Sequence, residues 1–183
     1  MRSLLLLTMF ASACEPRLDE GDPTTDGPSC DTTLPLVDRD RWTPSRATDD
    51  PRPAHRPTTV DCPALSWLPE YEGIEVSTER CNYLSLTQPL RHDLALGDRI
   101  ELEAWHQPLA NIDGSAAQAH YAVYVGTQPL WEVDVAIPAD ANAWLMEFDS
   151  PVQAAAGTPV TLHLHNHGFN TWNFNRLAVD GCP

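Results

Sequence analysis

From Cys62 onward, apolar and polar residues alternate in short runs, each closed by a turn signal. Ile100, Leu102 and Ala104 alternate with Glu101, Glu103 and Trp105, directly after Leu96-Gly97-Asp98. Tyr121, Val123 and Val125 run into Gly126-Thr127, and Trp131, Val133, Val135 and Ile137 alternate with Glu132 and Asp134 up to Pro138. Trp144, Met146 and Phe148 stop at Ser150-Pro151. Val160, Leu162 and Leu164 alternate with Thr161, His163 and His165, and Leu177 and Val179 close the series before Gly181. A period of two with regular turns, and no long segment of period 3.6, predicts antiparallel sheets with one buried and one wet face. About eight strands in roughly 120 residues suit a β-sandwich better than a closed barrel. The expectation is an all-β, antiparallel β-sandwich over residues 61–183.

Residues 14–60 read differently. Prolines at 16, 23, 28, 35, 44, 51, 53 and 57 fall among Asp, Thr and Arg, and the few apolar residues show no period. Such a stretch buries too little surface to offset its ordering entropy, which predicts a disordered tether, with Trp42 and Cys30 as points that pin it to the domain. Ahead of it, Met1-Arg2, the apolar run Leu4 to Phe10 and Ala11-Ser12-Ala13 describe an export signal over residues 1–13. With Cys14 next, the segment resembles a bacterial lipoprotein signal. That resemblance implies acylation of Cys14, a membrane partner through the lipid anchor, and a place in the cell envelope, at the outer membrane or cell surface.

The chain has 183 residues, a formal net charge of -15 and a sequence pI near 4.6, and its basic residues are all Arg. That charge excludes nucleic acid and anionic lipid surfaces as partners, since both need positive charge. With Cys14 lipidated, Cys30, Cys62, Cys81 and Cys182 remain, an even number suited to two disulfides in an oxidising compartment, with three connectivities open. No C-x-x-C spacing points to a thiolate zinc site.

Two stretches, Cys81 to His106 and Gly157 to Val179, resemble the jelly-roll sandwiches of galactose-binding-like domains and carbohydrate-binding modules. The shared features are an opening strand, a Leu-x-x-Gly-Asp turn into a second strand, and an Asn-Thr-Trp stretch (Asn170 to Trp172) leading into the closing strand. The resemblance implies that the first and last strands pair, which would set Cys81 beside Cys182 and leave Cys30 for Cys62.

Trp172 and Phe174 share a strand face by parity. Counting straight through puts them opposite the core, unless a bulge near Asn173–Asn175 switches the register. Flat rings beside amides are what sugar-binding surfaces use, so Trp172, Asn170 and Asn173 form one candidate ligand surface. Trp105, on the acidic row of its strand, is a second platform.

Histidines give the other candidate chemistry. His163, His165 and His167 fall on one face if they lie on a strand, and an i, i+2 pair can share a zinc or copper ion. His106 ends one predicted strand and His120 begins the next; in a hairpin they would face each other and complete a three-imidazole site. Glu101, Glu103, Glu132 and Asp134 could add oxygens. The competing structural reading is half-exposed polar residues bonded to backbone. There is no G-x-S-x-G elbow and no phosphate-binding glycine loop. The functional expectation is thus a lipid-anchored, non-catalytic binding module, glycan-binding through Trp172 and its neighbours. The alternatives are a metal-binding lipoprotein, structural or hydrolytic, and an envelope assembly protein docking to another protein.

Overall fold

The computed structural model describes residues 32–166 and 168–181. Among the described residues, eleven strands form: β1 (Thr33–Pro35), β2 (Thr43–Pro44), β3 (Trp67–Glu70), β4 (Gly73–Ser77), β5 (Tyr83–Pro89), β6 (Arg99–His106), β7 (Ala117–Val125), β8 (Gln128–Ile137), β9 (Asn142–Asp149), β10 (Pro159–His165) and β11 (Thr171–Asp180). One sheet runs β3-β4-β11-β6-β9, with β1 on the far half of β11; the other runs β2-β5-β10-β7-β8. Every pairing is antiparallel. The fold is an all-β, antiparallel β-sandwich.

Alternation explains the layers. Ile100, Leu102 and Ala104 of β6 meet Leu162, Leu164, Tyr121 and Val123 of β10 and β7 in one core, with Ile74, Val76, Phe174 and Leu177. Trp131 and Trp144 pack against this core from β8 and β9, as their apolar rows predict. The opposite rows, including His163 and His165 on β10, and Glu132 and Asp134 on β8, lie on the outer face of the second sheet.

Four expectations are corrected. First, the stretch assigned to the tether up to residue 60 is part of the fold from Thr33 onward. Leu36 is fully buried and Trp42 enters the core against Phe174, so two apolar side chains anchor a segment otherwise too polar to fold alone. Two of its prolines sit where no ladder donor is needed: Pro35 and Pro44 lie in edge strands of three and two residues. Second, Cys62 is bonded to Cys81, not Cys81 to Cys182. The strand after Cys81, β5, lies in the sheet opposite β11, so opening and closing strands do not pair. Cys14, Cys30 and Cys182 lie outside the described residues, as does His167.

Third, β11 carries a bulge between Phe174 and Arg176. The extra residue lets Trp172 and Phe174 point inward on one side of it and Leu177 and Val179 on the other. Gly73, at the start of β4, lies against this bulge; a Cβ there would stand 2.1 Å from the Phe174 carbonyl oxygen. Trp172 is therefore a fully buried core ring and no ligand platform. Fourth, β6 and β7 belong to different sheets, so His106 and His120 do not form a hairpin pair. His106 faces the core: its ring lies 4.7 Å from Trp172 and 5.4 Å from Trp144, and its Nδ1 is 2.7 Å from the Gln107 carbonyl oxygen.

Candidate functional site

The outer face of the second sheet is built by register. His163 stands across from Ser85 and Ala122, His165 across from Tyr83 and His120, and His120 across from Asp134. Directly opposed residues point the same way, so these side chains share one surface. Tyr124 joins them by the same alternation along β7, where it stands across from Thr161 of β10.

An outward histidine should be wet, yet His163 has no exposed surface. The N-terminal segment lies over it. Ser45 N–H donates to Ser85 O, the Tyr83 hydroxyl donates to Asp50, and Arg56 pairs with Asp50 at 3.1 Å. Arg52 donates from Nε to the Tyr124 hydroxyl and from its terminal nitrogen to Glu132 Oε2, both at 2.6 Å. These contacts fix the chain so that His55 drops onto the sheet. Its Nδ1 lies 3.3 Å from His163 Nε2, and its ring centroid lies 4.8 Å from that of His120 and 5.3 Å from that of His165.

One ring nitrogen from each of His55, His120 and His163 lies within 4.8 Å of the other two. Two imidazole nitrogens bound tetrahedrally to zinc, each at about 2.0–2.1 Å, stand about 3.3–3.4 Å apart, which is the His55–His163 separation. His120 Nδ1 is 2.9 Å from Asp134 Oδ1. A carboxylate only accepts, so Nδ1 carries the proton and Nε2 presents a lone pair; a carboxylate behind an imidazole is the usual support of a metal-ligating histidine. Burial, followed by the neighbouring His120, His55, His165 and Arg52, drives the His163 pKa down to about 2. His55 is lowered as well, by burial first and then by His120 and Arg52. Both rings stay neutral at neutral pH and keep the lone pairs a metal requires. His163 Nδ1 is buried without a hydrogen-bond partner, so the polar surroundings of this ring are those of the cluster.

A cleft of about 710 Å³ opens beside the cluster, lined by Arg52, His55, His120, Glu132, Asp134 and His165 among others. Of the expected metal residues, His120 and His163 meet, His165 lies at the edge, and His106 sits on the other sheet facing inward. The residue sequence reasoning missed is His55, hidden in the Pro-rich stretch.

The expected glycan residues do not form one surface. Asn170 holds loops together: its Nδ2 donates to Pro108 O at 2.8 Å, its Oδ1 accepts from Thr171 N–H, and its carbonyl accepts from Thr78. Asn173 stands across from Trp105 on the outer face of the first sheet, nearly buried, with its Nδ2 unpartnered, while Trp105 is half-buried.

No protein-family model and no curated protein sequence matches the chain. Among solved structures, it is similar to the K1 cleaved adhesin domain of Lys-gingipain from Porphyromonas gingivalis W83, at 15% identity and a TM-score of 0.45, covering 83% of this chain and 99% of that one. It is also similar to the carbohydrate-binding module CBM4, at 11% identity and a TM-score of 0.42, covering 82% and 95%. A family 11 carbohydrate-binding module of the cellulosomal cellulase Lic26A-Cel5E of Clostridium thermocellum follows, at 12% identity and a TM-score of 0.38, again covering 82% and 95%. The assignment of fold rests on the strand pairing described above.

Proposed function

We propose that this domain is a transition-metal-binding module of the bacterial envelope, holding zinc or copper at His55, His120 and His163. The observation that carries this reading is the convergence of three imidazole nitrogens within 4.8 Å on the outer face of a sheet. Borderline-soft nitrogen donors suit both metals. Asp134 orients His120 from behind, and the covering segment delivers His55. In the same proposal the chain is exported and acylated at Cys14, which places the Cys62–Cys81 bridge in an oxidising compartment.

Elemental analysis of untagged protein tests this. About one equivalent of zinc or copper is expected in the wild type. A His163→Ala variant with an unchanged far-ultraviolet spectrum should hold less than a tenth. Less than a tenth in the wild type, after incubation with either ion and desalting, ends the proposal.

A second reading, a glycan-binding surface, rests on the register partners Trp105 and Asn173. The half-buried Trp105 ring gives a flat face on the outer side of the first sheet, with the buried Asn173 amide behind it. Retention on polysaccharide columns that disappears with Trp105→Ala supports it; equal retention of the variant, or none by the wild type, rejects it.

A further inference from the structure

Three protein nitrogens leave a tetrahedral ion one ligand short, which distinguishes sites that do chemistry from closed structural ones. The cleft runs to this cluster from solvent. Beside it, Glu132 Oε2 lies 3.7 Å from His120 Nε2, and the Tyr124 hydroxyl lies 3.4 Å from the same nitrogen. The carboxylate is held in place by Arg52 at 2.6 Å and faces the Tyr124 hydroxyl at 3.3 Å. Asp134 is committed to the far edge of the His120 ring, so the two acids of β8 are separated by role: one supports a ligand, the other stands beside the open position.

Building on the metal reading above, we propose that the open position takes a water whose proton Glu132 accepts, and that the cleft hydrolyses small uncharged carboxylic esters. The water oxygen bonds to the acyl carbon as its proton passes to the Glu132 carboxylate. A metal held by His55, His120 and His163 would supply positive charge for the resulting oxyanion, and the Tyr124 hydroxyl and the Arg52 guanidinium stand beside Glu132 and His120 as further donors. Collapse breaks the acyl carbon–oxygen bond, and the proton on Glu132 passes to the leaving alkoxide, so that an acid and an alcohol depart and the carboxylate is restored. The preference for uncharged substrates follows from the cleft walls: their one cationic side chain, Arg52, is already paired with Glu132 at 2.6 Å, so no free cationic side chain is left to hold an anionic substrate.

The test uses zinc-loaded full chain with 4-nitrophenyl acetate, following zinc content and rate together. Expected are zinc-dependent turnover in the wild type and a fall of at least about 100-fold in Glu132→Gln, the loss typical of removing a general base, with one equivalent of zinc retained. Equal rates in the two zinc-bound proteins overturn the hydrolytic role and leave the metal site standing. Loss of zinc from Glu132→Gln also overturns it, since Glu132 would then hold the ion, directly or through the Arg52 contact that seats His55, rather than act as a base beside an open position. Absence of zinc from the wild type is the separate failure of the metal reading itself.

Discussion

His55 Nδ1 lies 3.3 Å from His163 Nε2, across 108 residues of chain. One ring belongs to β10 and the other to the segment that crosses the outer face of the same sheet, so a metal at this point joins two parts of the fold. Binding and docking of the segment are then linked: an ion that binds only the docked form stabilises docking by its own binding free energy. Amide hydrogen exchange over residues 45–58 should slow at least tenfold on adding zinc, and should not respond in His55→Ala. Equal exchange with and without zinc in the wild type would contradict the linkage.

Removing the polar anchor of the same segment should loosen it. The Asp50 side chain is fully buried and accepts from the Tyr83 hydroxyl, the Arg56 guanidinium and the Arg52 backbone N–H. Asp50→Ala leaves these three partners unsatisfied, which costs about 1–3 kcal/mol. A lower urea midpoint and weaker zinc affinity are expected together; unchanged zinc affinity would show that His55 is positioned by something else.

Acid should destabilise the metal-free protein through His163. Its folded pKa, about 2, lies far below the ordinary histidine value, so the unfolded chain takes up a proton that the folded one refuses. The contribution is fully present above about pH 6.5 and is lost progressively as pH falls toward 2. Glu75 works the other way: a hydrogen bond to Glu70, then burial, raises it to about 7, so its contribution is present below the ordinary carboxylate range and is lost as pH rises through about 7. In a Glu75→Gln background treated with chelator, stability at pH 5 should be about 2 kcal/mol lower than at pH 7.5, from about 1.4 kcal/mol per proton per pH unit. Urea denaturation at the two pH values measures it, and a flat profile contradicts a neutral, buried His163.

The strands were legible because period-two alternation is a local property: the apolar rows of β6, β8 and β10 predict their inner faces, and the outward placement of His163, Glu132 and Asp134 follows. Which strands share a sheet was not legible. The loop between His106 and Ala117 crosses from one sheet to the other, and nothing in its composition separates a crossover from a hairpin. His55 was hidden for a related reason. Its segment docks through individual polar pairs, Asp50 with Tyr83 and Arg52 with Tyr124, and such pairs leave no periodic trace. The available signal was the histidine itself, alone among prolines and arginines in Pro51-Arg52-Pro53-Ala54-His55-Arg56-Pro57.

Trp172 and Trp105 differ in burial and should differ in their contribution to stability. Trp172 is enclosed by His106, Tyr121 and Trp144, so Trp172→Ala should cost about 3–5 kcal/mol by leaving a cavity. Trp105→Ala removes a half-buried ring from an outer face and should cost less than about 2 kcal/mol. Thermal unfolding of the two variants checks the ordering, and equal losses would place both rings in the core.

The Cys62–Cys81 bridge closes a loop across a sequence separation of 19 that carries β3 and β4. Replacing both cysteines with alanine should lower stability by about 3 kcal/mol, the value for a loop of this size. Peptide mapping under non-reducing conditions should recover the Cys62–Cys81 pair.

X-ray absorption at the zinc edge tests the central claim most directly. Zinc-loaded wild type should show a first shell containing three imidazole nitrogens at about 2.0–2.1 Å plus one exchangeable water oxygen, and His55→Ala should show two imidazoles. A shell of oxygens alone, or the same imidazole count in both proteins, would contradict a site completed by the N-terminal segment.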